Sequence, residues 1–247
     1  MKSSGRAKNK MTDKKKENLI LALTLAVIIV LIPAVYVLAS FLGDRHLYIA
    51  SVIIMILAMV PFFVKFEAGK PDARVLAILA VMTVIAVVSR VAFIWAPGFK
   101  PMAGIIIITA IGFGPQAGFM CGALSMIASN IIFGQGPWTP WQMFCYGMIG
   151  FIAGLLGRSR IMSEKHAIRS AVISFILVFI LSGLVLDTCS VFFMTSALTP
   201  ASVLAVYIAG IPFNIGNAAA SAVCVFLLVK PLAAAFARIK VKYGIRF

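Results

Sequence analysis

Two ionisable side chains stand inside long apolar runs, Arg90 and Asp187. A charge at that depth is costly unless it is paired or faces water. At the helical rise both lie about 9–14 Å below the same surface. That matched depth predicts an Arg90–Asp187 ion pair, either structural or shared with a bound ligand. A second concentration of polar chemistry is Ser129 to Met143, SNIIFGQGPWTPWQM. A connector between membrane helices needs only to be polar and short. This one offers the amides of Asn130, Gln135 and Gln142 and the ring faces of Trp138 and Trp141, on a backbone fixed by prolines and glycines. Such a set suits capture of a small molecule at a membrane surface, although interfacial anchoring also recruits tryptophan. In the last apolar run, Tyr207, Asn214, Asn217 and Ser221 share one helical face around Pro212. They would either bond helix to helix or line a cavity. Phe99 and Lys100 belong to the turn Gly98-Phe99-Lys100-Pro101 beside Arg90. A few polar groups set in an apolar mouth is the usual composition of a small-molecule site.

Other chemistries lack their residues. The chain has no G-x-x-x-x-G-K-[ST] phosphate loop, no H-E-x-x-H and no plausible nucleophile–base set. Its four cysteines, Cys121, Cys145, Cys189 and Cys224, fall in four different apolar runs with no C-x-x-C pair. They read as small buried apolar residues, with no metal site, disulfide or cofactor expected.

The elements that must position these groups are membrane helices. Of 247 residues, 62% are hydrophobic and 12% charged, far from the surface needs of a soluble domain. Apolar runs of about 20 residues recur along the chain, giving an all-α polytopic helix bundle. The predicted spans are 18–42, 48–64, 75–95, 101–114, 116–133, 140–157, 170–196 and 202–229. Residues 1–17 form a basic tail and 233–247 another. The segment Pro101 to Gly114 reaches only about 20 Å, short for a crossing. Charge decides in favour of one. If it crosses, all but three of the 22 Lys and Arg residues lie on one side, the exceptions being Arg45, Arg90 and Lys100. That asymmetry explains the net charge of +15 without nucleic acid and predicts a cell-membrane protein with both termini cytoplasmic. Gly118-x-x-x-Gly122 and Gly150-x-x-x-Gly154 predict close helix packing.

From residue 72 to 232 the chain resembles the substrate-specific (S) components of energy-coupling factor transporters. The resemblance rests on S-R-V-A-F at 89–93, G-F-K-P at 98–101 and G-P-Q-A-G-F at 114–119. It continues through S-N-x-x-F-G-Q-G-P-W-T-P-W-Q at 129–142 and A-G-I-P-F-N at 209–214. It implies a six-helix core that captures a vitamin or similar micronutrient from outside, without catalysis of its own. Partners would be a transmembrane coupling protein and two ATPases. The implied docking face is an alanine series on the first core helix, here Ala73, Ala77 and Ala80. The two helices between 18 and 64 are additional to that core. The tryptophan motif looks most like that of cobalamin or corrinoid members. A membrane enzyme acting on a lipid or prenyl substrate is the competing class. It would need clustered cytoplasmic carboxylates for magnesium, whereas Glu67, Asp72 and Glu164 are scattered. A structural or sensory membrane protein would not need the polar outer constellation.

Overall fold

The computed structural model describes residues 44–68, 72–195 and 199–244. The basic tail 1–17 and the first predicted span 18–42 lie outside the described residues. The described chain is helical, and no strand occurs among the described residues. It divides into two compact units, residues 1–62 and 63–247. The boundary falls within helix α1, Asp44–Ala68.

The larger unit contains α2 (Ala73–Ala92), α3 (Met102–Phe113), α4 (Pro115–Phe133) and α5 (Thr139–Arg158). A 3-10 turn, Glu164–His166, leads into α6 (Ala167–Leu181). A π-helical stretch, Ser182–Asp187, joins α6 to α7 (Thr188–Met194), and α8 (Pro200–Tyr243) completes the unit. Among the described residues, four stretches are long and apolar enough to cross a membrane: Ala73–Ala92, Pro115–Phe133, Glu164–Met194 and Pro200–Lys242. Apolar side chains cover their outsides. On α2, Leu76, Val81, Val84 and Val88 are exposed, as are Ile168, Val172, Ile176 and Ile180 along α6. Serines and threonines such as Thr109, Ser125, Ser170 and Ser174 are buried. Apolar residues outside and hydroxyls inside suit a lipid surround.

Helix α3 is the centre. Its sequence MAGIIIITAIGF is apolar all round, and ten of its 12 residues are buried, as such a helix must be. The Thr109 hydroxyl donates to the Ile105 carbonyl at 2.8 Å, meeting its need within the helix. Gly104 lies against Cys224 and Gly112 against Phe236, so α3 runs beside α8 in the same direction. It begins near Gly98 and Phe213 and ends near Arg158. The segment 101–114 thus passes from one end of the bundle to the other as one helix. Lys240 donates to the Gly112 carbonyl at 2.5 Å, satisfying part of the C-terminus of α3.

A single residue, Gly114 at φ +89°, reverses the chain from α3 into α4. Only glycine adopts this conformation without strain, and Pro115 then opens α4 where its missing N–H costs nothing. Helices α4 and α5 pack backbone to backbone. A Cβ on Gly118 would stand 2.5 Å from the Gly150 carbonyl oxygen, and one on Gly154 would stand 2.5 Å from Pro115. Gly122 sits against the Tyr146 carbonyl in the same seam. Without a hydrophobic drive between helices in lipid, such close approach is what holds them.

Three segments differ clearly from the sequence reading. Helix α1, Asp44–Ala68, runs about a turn beyond each end of the span expected over 48–64. The span expected over 170–196 is interrupted by the π stretch, an irregularity that hydrophobic periodicity does not encode. The last helix continues past Val229 through Pro231 to Tyr243, so most of the predicted tail 233–247 is helical. Packing of Phe236 and Lys240 against α3 holds that extension.

Gly118→Ala is expected to lower stability by about 1–3 kcal/mol through overpacking. For a chain of this size that is a fall of about 2–4 °C in melting temperature per kcal/mol. Gly183→Ala, whose added Cβ meets nothing closer than 3.7 Å, is expected to melt within about 2 °C of the parent. Thermal unfolding of the purified protein in one detergent compares them.

Candidate functional site

One end of the bundle gathers the polar residues. Arg90, in the last turn of α2, directs Nη1 at the Asn130 Oδ1 atom at 2.8 Å, the Ser129 hydroxyl and the Met126 sulfur. Its guanidinium carbon stands 4.3 Å from the centroid of the Phe133 ring. Arginine only donates, so Asn130 must present its oxygen there and its Nδ2 elsewhere. Nδ2 donates to Gln142 Oε1 at 2.7 Å and to Thr139 Oγ1 at 3.0 Å. Thr139 in turn donates to Gln135 Oε1 at 3.1 Å, and Gln135 Nε2 reaches the Ile127 carbonyl at 2.8 Å. Asn130 is buried, and this chain ties α2, α4 and α5 together through it.

The turn 93–101 completes that side. Lys100 Nζ donates to the Phe93 carbonyl at 2.7 Å and lies 5.4 Å from the centroid of the same Phe133 ring. Lost hydration, and then the neighbouring Arg90 charge, hold the Lys100 ammonium below the usual lysine range. The Phe99 ring packs against Phe93 at a tilt of 56°, with centroids 5.3 Å apart. Gly98, at φ +75°, brings the turn onto α8, where its carbonyl meets Gly216 and its Cα side meets Phe213. A Cβ on Gly216 would crowd the Gly98 carbonyl at 2.9 Å, and a side chain at Gly98 would be strained by its positive φ.

A second cluster lies around Asp187, at the end of the π stretch and 7% exposed. Asn214 Nδ2 donates to its Oδ2 at 2.7 Å. The carboxylate lies over Gly210, where a Cβ would be 2.5 Å from Oδ1. Next to it, the Thr188 and Tyr207 hydroxyls share a hydrogen bond of 2.6 Å. The two tryptophans connect this cluster to the first. Trp141 is 1% exposed with its ring 5.9 Å from Phe192, whereas Trp138 is 41% exposed and meets Phe193 edge-on at 6.3 Å. Trp141 suits an interior wall and Trp138 a rim. The Trp141 Nε1 and Asn217 Oδ1 atoms are both buried without a hydrogen-bond partner. Each such orphan costs about 1–3 kcal/mol unless a ligand or water meets it.

The expected Arg90–Asp187 pair does not form. Arg90 is satisfied by amide, hydroxyl and ring, and Asp187 by Asn214. Equal depth along two helices did not bring their faces together. Of the residues predicted for binding, one network joins Arg90, Asn130, Gln135 and Gln142, with Lys100 on the same Phe133 ring, while Asp187 meets Asn214 with Tyr207 beside them. Sequence reasoning missed Phe93, Ser129, Phe133, Thr139 and Phe192. Ser129, Phe133 and Thr139 stood within or beside the quoted motif but carry no distinctive chemistry alone. Ala73, Ala77 and Ala80 are exposed on α2, opposite its buried Val75, Leu79, Met82 and Ala86.

Residues 72–234 match the family model described as ECF-type riboflavin transporter, S component. The chain belongs to that family and is a multi-pass membrane transporter subunit. No curated protein and no solved structure matches it.

A double-mutant cycle checks the separation of the two charges. Arg90→Gln and Asp187→Asn are expected to add within about 0.5 kcal/mol, as sites without shared partners do. Asp187→Leu with Asn214→Leu is expected to couple by about 1 kcal/mol or more. Melting of the purified variants reads both.

Proposed function

We propose that this S component captures a vitamin at the end of the bundle bearing Trp138, and that this end faces outward. Both termini are then cytoplasmic in a cell-membrane protein. A transmembrane coupling protein and two ATPases supply the energy, since the chain carries no phosphate loop of its own. The observation that carries the reading is the ring of polar and aromatic groups around Asn130, which falls wholly within the family match. Within it, the buried and unpartnered Trp141 indole N–H is a donor awaiting an acceptor. Vitamins with carbonyl or ring-nitrogen acceptors on a flat ring suit Trp141 and the amides of Asn130 and Gln142.

Riboflavin is the first candidate, because the family description names it and its flat ring carries such acceptors. The corrinoid reading from the tryptophan motif becomes the competing arm of the test. Partner docking is proposed for the outward face of α2, where Ala73, Ala77 and Ala80 leave a shallow strip beside Val84 and Val88. Small residues of this kind let a second helix approach closely.

The test is equilibrium binding to the full chain in phosphatidylcholine nanodiscs, without ATP, across riboflavin, cobalamin and other vitamins. Riboflavin is expected to bind with Kd below about 1 μM, and Trp141→Leu or Asn130→Ala to weaken it about tenfold or more. Binding of cobalamin alone would transfer the assignment to corrinoids. If no vitamin binds and no ATPase co-purifies from the native membrane, the reading is wrong.

A further inference from the structure

Arg90 and Lys100 stand on one aromatic ring with nothing negative beside them. Their distances to the Phe133 centroid are 4.3 Å and 5.4 Å. Among the described residues neither cation meets a carboxylate. Arg90 bonds Ser129, Asn130 and Met126, and Lys100 bonds backbone carbonyls of the turn. Three of these contacts use the same guanidinium nitrogen, Nη1, which fixes the plane of the fork. Nε and Nη2 have no hydrogen-bond partner among the described residues, and they are not among the buried atoms. A planar fork held by one prong, with its other edge open, is the arrangement that takes a carboxylate or phosphate in two parallel bonds.

The energetics point the same way. The two ring contacts put the charges no more than about 10 Å apart, where like charges repel, the more so where water is scarce. The ring faces offset part of this, by about 0.5–2 kcal/mol each. The nearest acid in the site, Asp187, is turned to Asn214 and Gly210 instead. A structural role for Arg90 would be better served by placing that carboxylate against it. The charge has instead been left uncompensated in a half-buried position at the mouth.

We propose that Arg90 and Lys100 form an anion subsite, which accepts a phosphate or carboxylate group carried by the ligand. This deepens the vitamin-capture reading and rests on it. The site would then prefer a phosphorylated vitamin over its neutral parent, with Arg90 supplying the bidentate contact and Lys100 the second charge. The same chemistry would also hold the phosphate of a lipid headgroup, and the test separates the two sources.

Riboflavin and riboflavin 5′-phosphate form the neutral and anionic pair of probes. Each is titrated against the full chain in phosphatidylcholine nanodiscs and again in discs containing phosphatidylglycerol. The phosphate ester is expected to bind about tenfold tighter or more in both discs. Arg90→Gln and Lys100→Gln are each expected to shrink that ratio at least several-fold. Lys165→Gln, an exposed charge in the connector at the far end, is the control and is expected to keep it. Riboflavin binding as well as or better than its phosphate overturns the anion subsite and leaves vitamin capture standing. A preference present in phosphatidylcholine but erased by phosphatidylglycerol, with that lipid retained in native mass spectrometry only while Arg90 is intact, assigns the anion to lipid and overturns the ligand inference. Failure of both flavins to bind removes the riboflavin assignment and this inference together.

Discussion

The backbone contact between α4 and α5 is the constraint on which the site depends. Gly118, Gly122, Gly150 and Gly154 carry no side chain at the points of closest approach, so there the two helices meet carbonyl to Cα. Because they run antiparallel, each step of four residues up α4 is matched by a step of four down α5. The register fixed by Gly118 on Gly150 and by Gly122 on Tyr146 carries on to Asn130 opposite Thr139. A one-turn slip would move Asn130 about 5 Å from its partners. The amide network therefore depends on glycines more than a helical turn away from it, and no side chain of the site itself sets that spacing.

Around this seam the fold arranges its polar groups by what each can donate. Arg90 is a pure donor and calls for oxygen, which fixes the orientation of Asn130, and Asn130 then passes two donors on to α5. Asp187 is a pure acceptor when ionised and draws Asn214 to itself. Two charges at similar depth thus find separate neutral partners on separate helices. A neutral shell satisfies hydrogen bonds without cancelling charge, so this end of the bundle remains positive on the Arg90 and Lys100 side. The aromatic pairs Trp141–Phe192 and Trp138–Phe193 bridge the positive side to the Asp187 side. They provide flat surface without adding charge.

Two departures from regular helix lie together at Asp187. The π stretch Ser182–Asp187 widens one helix, and Pro212 removes a backbone donor from the facing one. Gly210 supplies the space in which the carboxylate rests. Each irregularity would weaken an isolated helix. Side by side, they let a buried carboxylate approach a helix backbone that a regular pair of side chains would have kept at a distance.

Much of this was legible in the sequence because a membrane imposes simple rules. Apolar runs, breakers and the bias of Lys and Arg located the helices and argued that the short, uniformly apolar segment 101–114 passes through the bundle. Glycine spacing indicated the close packing of α4 and α5, and residue chemistry picked out Asn130, Trp141, Gln142 and Asp187. Pairing was not legible. Depth along a helix follows from counting residues, but the direction a side chain faces relative to another helix depends on rotation and crossing angle, which packing sets. For that reason Arg90 went to Asn130 and Phe133 instead of Asp187. The π stretch and the helical course of residues 230–243 likewise arose from contacts with distant parts of the chain. The sequence by itself determined which residues lie in apolar, membrane-type helices. Tertiary structure decided which of them meet, because hydrogen bonds and ring contacts require alignment to within an ångström or so and local sequence carries no such coordinate.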